Sequence, residues 1–222
     1  TEMNDTVMHD LAAGYAQECA ALHALLAPLG PGDWDRPTQF KGWSANDILA
    51  PLHFFDIAAA YSLKDEAALA DMFGKLRIAV TAGMPPLQFQ HEWLGPLRGR
   101  ELLERWHMQA RSLAHDYPGE DPKRRVKWAG PDMSVRSSLS ARLMETWSHA
   151  QALYDLLGRQ RVEGDWLRNV AELGVNTYKW TFVNRKLPVP QPQPLVRLTA
   201  PSGAVWEVGA TDAAGGVGGG RA

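Results

Sequence analysis

The chain has 222 residues, of which 45% are hydrophobic and 22% charged, as is typical of a globular protein with a sizeable core. A formal net charge of −2 gives no basis for expecting nucleic acid as a partner. Cys19 is the single cysteine, which excludes a disulfide within the chain. There is no apolar run of membrane-spanning length and no signal-peptide core at the N-terminus, so a cytoplasmic location with no membrane partner is expected.

Apolar residues recur at helical spacing over most of the chain. The segments with this pattern cover residues 6–29, 44–62, 65–79, 99–116, 134–157 and 165–183. Ser44, with Asp47 three residues later, forms a capping-box pattern, and Gly158 is a typical helix stop. The stretch "GMPPLQF" at 83–89 breaks the pattern. This order predicts a mainly α protein built on an up-and-down four-helix bundle.

The C-terminal part has a different pattern. The segment "LPVPQPQ" at 187–193 is typical of an extended linker. After it the period changes to two, and "LVRLTA" and "AVWEVG" flank "PSG", which predicts a β-hairpin. The predicted organisation is a helical bundle over 1–186, a linker over 187–193, and a small β-hairpin or α/β element over 194–222. The glycine-rich end, "AAGGVGGGRA", leaves open whether that element is complete.

Glu145 and His149 carry the chemistry that is easiest to recognise in the sequence. They lie four residues apart in "METWSHA", so their side chains project from one face of the predicted helix. This spacing suits two ligands of one metal ion, and it suits an exposed ion pair equally well. A third candidate, His53, follows Pro51 in the second helix, where proline costs roughly 3 kcal/mol.

Three separated segments carry a resemblance to a known family. They are "DWDRPTQFKGWSANDILAPLHFFD", "ARLMETWSHAQALYDLLG" and "LPVP" followed by "VRLTAPSGAVWEVG". In this order they resemble the DinB-like bundle superfamily, and within it the actinobacterial branch related to mycothiol-dependent maleylpyruvate isomerase. The resemblance covers nearly the whole chain and implies a four-helix bundle with a small C-terminal part.

The resemblance also implies a divalent metal, usually zinc, and a low-molecular-weight thiol such as mycothiol. Glu145 and His149 match the two family ligands on the last bundle helix. The third ligand of the family is a histidine directly before leucine, and here Pro51 stands at that position, before Leu52. His53 lies two residues further on, about 200° around an ideal helix, so it does not simply inherit the role.

Three functions are therefore open. The first is an isomerase or thiol transferase in which Glu145, His149 and a reoriented His53 hold zinc, with Asp47 as a less favoured ligand. The second is a metal-free, repurposed bundle that works as an isomerase or cyclase in secondary metabolism, with the three candidate residues as acid–base groups. The third is a non-catalytic small-molecule binding protein. The sequence names neither the substrate nor the oligomeric state.

Overall fold

The computed structural model describes residues 2–209, and the part of the predicted C-terminal element beyond Gly209 lies outside them. The helices are α1 Glu2–Leu26, α2 Ala45–Lys64, α3 Glu66–Thr81, α4 Pro86–Leu94, α5 Gly99–Asp116, α6 Val135–Leu157, α7 Arg168–Asn176 and α8 Tyr178–Val183. The strands are β1 Arg125–Val126, β2 Met133–Ser134, β3 Leu195–Thr199 and β4 Val205–Gly209. The predicted fold class, mainly helical with a small C-terminal β-hairpin, is confirmed.

Four long helices form the bundle: α1 and α2 each pack against both α5 and α6. Near the start of both helices, Asn46 of α2 accepts a hydrogen bond from the backbone N–H of Gly99 of α5. Further along both helices, Asp56 of α2 accepts a hydrogen bond from Trp106 of α5. Helices α2 and α5 therefore run in the same direction. The four bundle helices therefore do not alternate strictly in direction along the chain. Helices α3 and α4 lead the chain back to the end of the bundle where α2 begins, and α5 starts there.

A buried polar cluster lies within this apolar core. Asp56 is fully buried and accepts hydrogen bonds from Tyr15 Oη (3.1 Å), Trp106 Nε1 (3.1 Å) and Arg142 Nε (2.9 Å). These contacts join all four bundle helices at one point. They also fix Arg142, which lies one turn before Glu145 on α6.

The described chain divides into two compact units, Thr1–Arg161 and Val162 onward. In the second unit α7 packs on β4, and Asp165 accepts hydrogen bonds from the backbone and side chain of Ser202. Strands β3 and β4 pair antiparallel, with Leu195 opposite Gly209. The sequence-based division into a bundle over 1–186, a linker over 187–193 and a small element over 194–222 stays a prediction.

No helix among residues 2–209 combines the length and the apolar character that a membrane crossing requires.

Candidate active site

Glu145 and His149 lie together on α6, as their spacing predicts. The helix is well delimited, since the Ser134 side chain accepts a hydrogen bond from the Ser137 backbone and Gly158 ends it in the left-handed conformation, with φ of 60°. His149 Nε2 lies 3.1 Å from Glu145 Oε2, and both side chains are partly exposed.

A tight turn before α2 brings two aromatic rings to this pair. Lys41 and Gly42 both have positive φ, 54° and 71°, and the Trp43 backbone N–H donates to the Phe40 carbonyl at 2.9 Å. Positive φ at a lysine is uncommon and costs of order 1 kcal/mol or more, so the rest of the structure must hold it in place. The result is that Trp43 stacks on His149 (6.1 Å between centroids, 9° between planes) and Phe40 meets its ring edge-on at 5.3 Å.

His149 of this pair borders a cleft of about 700 Å³, a size common for small-molecule sites. His149 and the Phe40 ring form part of its wall. The other lining residues are Pro37, Gln39, Ser148, Gln151, Ala152, Asp155 and Leu156. The wall therefore combines one aromatic ring and several hydrogen-bonding side chains with a single imidazole.

The electrostatics of the pair favour an ionised glutamate. The hydrogen bond from His149 holds the pKa of the Glu145 carboxyl below its usual value, and the nearby Arg142 charge acts in the same direction. A carboxylate at Oε2 accepts a hydrogen bond from Nε2–H of His149. In that tautomer the lone pair of the neutral imidazole is on Nδ1, which can accept a proton.

His53 does not join this pair. Its imidazole is buried, its Nδ1 finds no hydrogen-bond partner within residues 2–209, and the charged group that acts on it is Arg105 of α5. Burial lowers the pKa of His53 to about 4, and the Arg105 charge adds to this effect. The expected reorientation of His53 towards Glu145 and His149 is not seen: α2 runs through Pro51 without interruption, and His53 stays in the packed interior.

Both carboxylate oxygens of Asp47, the less favoured metal ligand, already have hydrogen-bond partners. Its Oδ1 lies 2.8 Å from His91 Nε2, and its Oδ2 accepts the backbone N–H of Ser44 at 3.0 Å, which completes the predicted capping box. No sequence pattern indicates the contact of His91 with Asp47, because His91 lies on α4, which the proline-containing stretch 83–89 conceals.

The donor set does not fit the three-ligand metal site that the family implies. Glu145 and His149 provide two donors 3.1 Å apart, but Pro51 offers none, and a catalytic zinc site normally takes three protein ligands. Across the described residues there is no group of three or more His, Cys, Asp or Glu side chains that could hold a metal ion. We therefore assign no chemical step to a metal.

Comparison with known proteins places the chain in a family. The model of the mycothiol maleylpyruvate isomerase N-terminal domain matches residues 15–154, which include the bundle helices α2 and α5, most of α6 and the Glu145–His149 pair. The chain belongs to this family. Two uncharacterized proteins of Mycobacterium tuberculosis, from strains CDC 1551 and H37Rv, are each 34% identical over 196 residues, covering 87% of this chain and 74% of theirs.

Among solved structures, a crystal structure of a histidine-to-alanine mutant of mycothiol-dependent maleylpyruvate isomerase is similar to this chain. The TM-score is 0.49 at 15% identity, over 94% of this chain and 80% of that one. Family membership confirms the resemblance drawn from the sequence. It relates the chain to thiol-dependent isomerases, and the activity and site of this chain are matters for a proposal.

Proposed function

We propose that the chain is a thiol-dependent isomerase or thiol transferase that acts on a small molecule in the His149 cleft, with no metal held by side chains. The observation that carries the proposal is the hydrogen-bonded Glu145–His149 pair, of which His149 lines a cleft, in a chain of this family. The missing third metal donor favours the metal-free alternative over the zinc enzyme.

The cleft suits a low-molecular-weight thiol that carries hydroxyl or amide groups. Gln39, Ser148, Gln151 and Asp155 supply hydrogen-bonding atoms, and the Phe40 ring supplies an apolar surface. When such a thiol is bound, it provides a sulfur nucleophile once its proton is removed.

In the proposed mechanism, His149 moves that proton. Glu145 accepts from Nε2–H and so keeps the proton-accepting lone pair on Nδ1. Trp43 and Phe40 hold the plane of the imidazole in place by stacking and by edge contact. His149 takes the thiol proton at the start and returns a proton at the end, so an isomerisation leaves the protein in its original protonation state.

The test is turnover by the purified protein with mycothiol and maleylpyruvate, followed by absorbance or NMR in the presence of a chelator. We expect thiol-dependent turnover, with a loss of about 10²- to 10⁴-fold in His149→Ala because its acid–base group is removed. Glu145→Gln should lose less, since the imidazole remains but its tautomer is no longer fixed.

His23→Ala is the matched control. His23 Nε2 also lies against a glutamate, 2.9 Å from Glu104 Oε1, but that pair lies outside the cleft. Its activity should equal that of the wild type. Turnover without thiol, or turnover unchanged in His149→Ala, would contradict the proposal. Thiol binding without turnover of any substrate would favour the binding-protein alternative.

A further inference from the structure

A second groove lies in the same compact unit, between α3 and the β1–β2 connection, with a volume of about 690 Å³. Its lining residues are Glu66, Leu69, Ala70, Phe73, Gly74, Leu76, Arg77, Val80, Lys127, Trp128 and Ala129. It shares no lining residue with the His149 cleft and is therefore a separate site.

Two aromatic rings at a right angle form the apolar part of this groove. The rings of Phe73 and Trp128 lie 5.3 Å apart with 89° between their planes. The Trp128 ring is braced by Phe55 (6.1 Å between centroids) and by the Arg142 guanidinium at 5.8 Å. A flat conjugated ligand can stack on one of two perpendicular rings while its edge meets the other, which is the favoured aromatic geometry.

Gly74 has no structural explanation within its own helix. It lies in the interior of α3, where glycine is about 1 kcal/mol less favourable than alanine. Its φ is not positive, and a Cβ added to it would meet no atom within 4 Å. Neither the backbone nor the packing requires a glycine, so its effect is to leave the groove wall open beside Phe73.

The charges of the groove favour an anion. Arg77 lies three residues after Gly74 on α3 and forms no ion pair within residues 2–209, whereas Lys127 is paired with Asp132 at 2.9 Å. Among the lining residues Glu66 is the single carboxylate, and Arg77 is the cation that no carboxylate within residues 2–209 pairs with. Because Arg77 has no carboxylate partner and lies beside the open groove wall at Gly74, its guanidinium is suited to bind the carboxylate of a ligand.

We propose that this groove is a binding site for a flat aromatic or conjugated molecule that carries a single carboxylate. The ring system lies against Phe73 and Trp128, and the carboxylate accepts hydrogen bonds from Arg77. The volume lies within the range of known small-molecule pockets, and the open wall at Gly74 admits the ring system.

The test is calorimetric titration of the full chain with naphthalene-2-carboxylate and with its neutral analogue, naphthalen-2-ylmethanol. We expect both to bind, and we expect Arg77→Gln to weaken the carboxylate about tenfold by removing a charge-assisted hydrogen bond. The alcohol should be unaffected by that change. Gly74→Leu should abolish binding of both probes by filling the notch, and thermal unfolding should show that this variant is at least as stable as the wild type, because a side chain there meets no neighbour.

Gly174→Leu and His149→Ala are the controls. Gly174 is also a helix glycine with open space around its Cβ position, but it lies on α7 and outside the groove. Both controls should bind the two probes as the wild type does. Absence of binding, binding unchanged in Gly74→Leu, or binding lost in either control would overturn the proposal. A dimer that Gly74→Leu dissociates in sedimentation experiments would also overturn it, since a second copy of the chain would then occupy the groove.

Discussion

Asp56 shows how a single residue can determine stability in this bundle. It is fully buried, its carboxylate accepts three side-chain hydrogen bonds, and its strongest partner is the equally buried Arg142. We predict that Asp56→Asn lowers the free energy of unfolding by about 3–5 kcal/mol, because it leaves the Arg142 charge buried without a counterion. Urea denaturation followed by circular dichroism measures this difference.

An exposed ion pair provides the control for this prediction. Asp116 accepts from Lys64 at 2.7 Å on the surface, where the two charges remain solvated. Asp116→Asn removes the same type of interaction and should cost less than about 1 kcal/mol. Equal losses in the two variants would show that burial does not set the energetic value of the Asp56–Arg142 pair.

His53 makes the fold sensitive to acid. Its pKa is lowered to about 4 by burial and by Arg105, so the folded state binds fewer protons than the unfolded chain between that value and the ordinary 6.5. The stability associated with neutral His53 is complete above pH 6.5 and is lost as the pH falls towards 4. Between pH 7.5 and 5 this amounts to about 2 kcal/mol of unfolding free energy.

The prediction for His53 is tested by comparing the wild type with His53→Leu at both pH values. The variant replaces the imidazole by an apolar leucine side chain of similar size, which cannot take up a proton. Its unfolding free energy should fall less on acidification than that of the wild type. Parallel pH profiles for the two proteins would show that His53 is solvated or that it is protonated in the folded state.

Among the elements, the sequence predicted those that local signals define. The predicted boundaries of α5 agree with the structure, and the Ser44–Asp47 capping box begins α2 as expected. The sequence pattern does not predict α4, because Pro85 and Pro86 indicate a break, although proline is favoured at the first position of a helix. Residues 165–183 were predicted as one helix. They form a 3₁₀ turn and two helices with Thr177 between them.

The site divides in the same way between local and long-range information. The Glu145–His149 pair follows from a spacing of four on one helix, which the sequence displays directly. The contact of Phe40 with His149 depends on the Lys41–Gly42 turn, in which both residues have positive φ. The sequence indicates such an angle at Gly42 but not at Lys41. The placement of His53 depends on which side of α2 faces α5, and no local pattern shows how two helices are rotated against each other.

At the scale of the whole molecule, the fold class follows from the hydrophobic periodicity of the sequence. Whether side chains can bind a metal depends instead on contacts between helices that are distant in the sequence. The family's third ligand belongs to α2 and the other two to α6, so only the assembled bundle determines whether they meet. In this chain Pro51 stands where the resemblance places that ligand, and α2 continues through it.

We accordingly predict that the full chain, purified without a histidine tag, contains far less than one zinc per molecule by elemental analysis and keeps its thermal midpoint in chelator. Pro51→His should raise zinc affinity by at least about tenfold, because it adds a third donor to the Glu145–His149 pair. Pro51→Ala is the control, since it also relieves the proline in the helix but adds no donor. Near-stoichiometric zinc in the wild type that is lost in His149→Ala would contradict the metal-free proposal. Unchanged zinc affinity in Pro51→His would show that residue 51 does not face the pair.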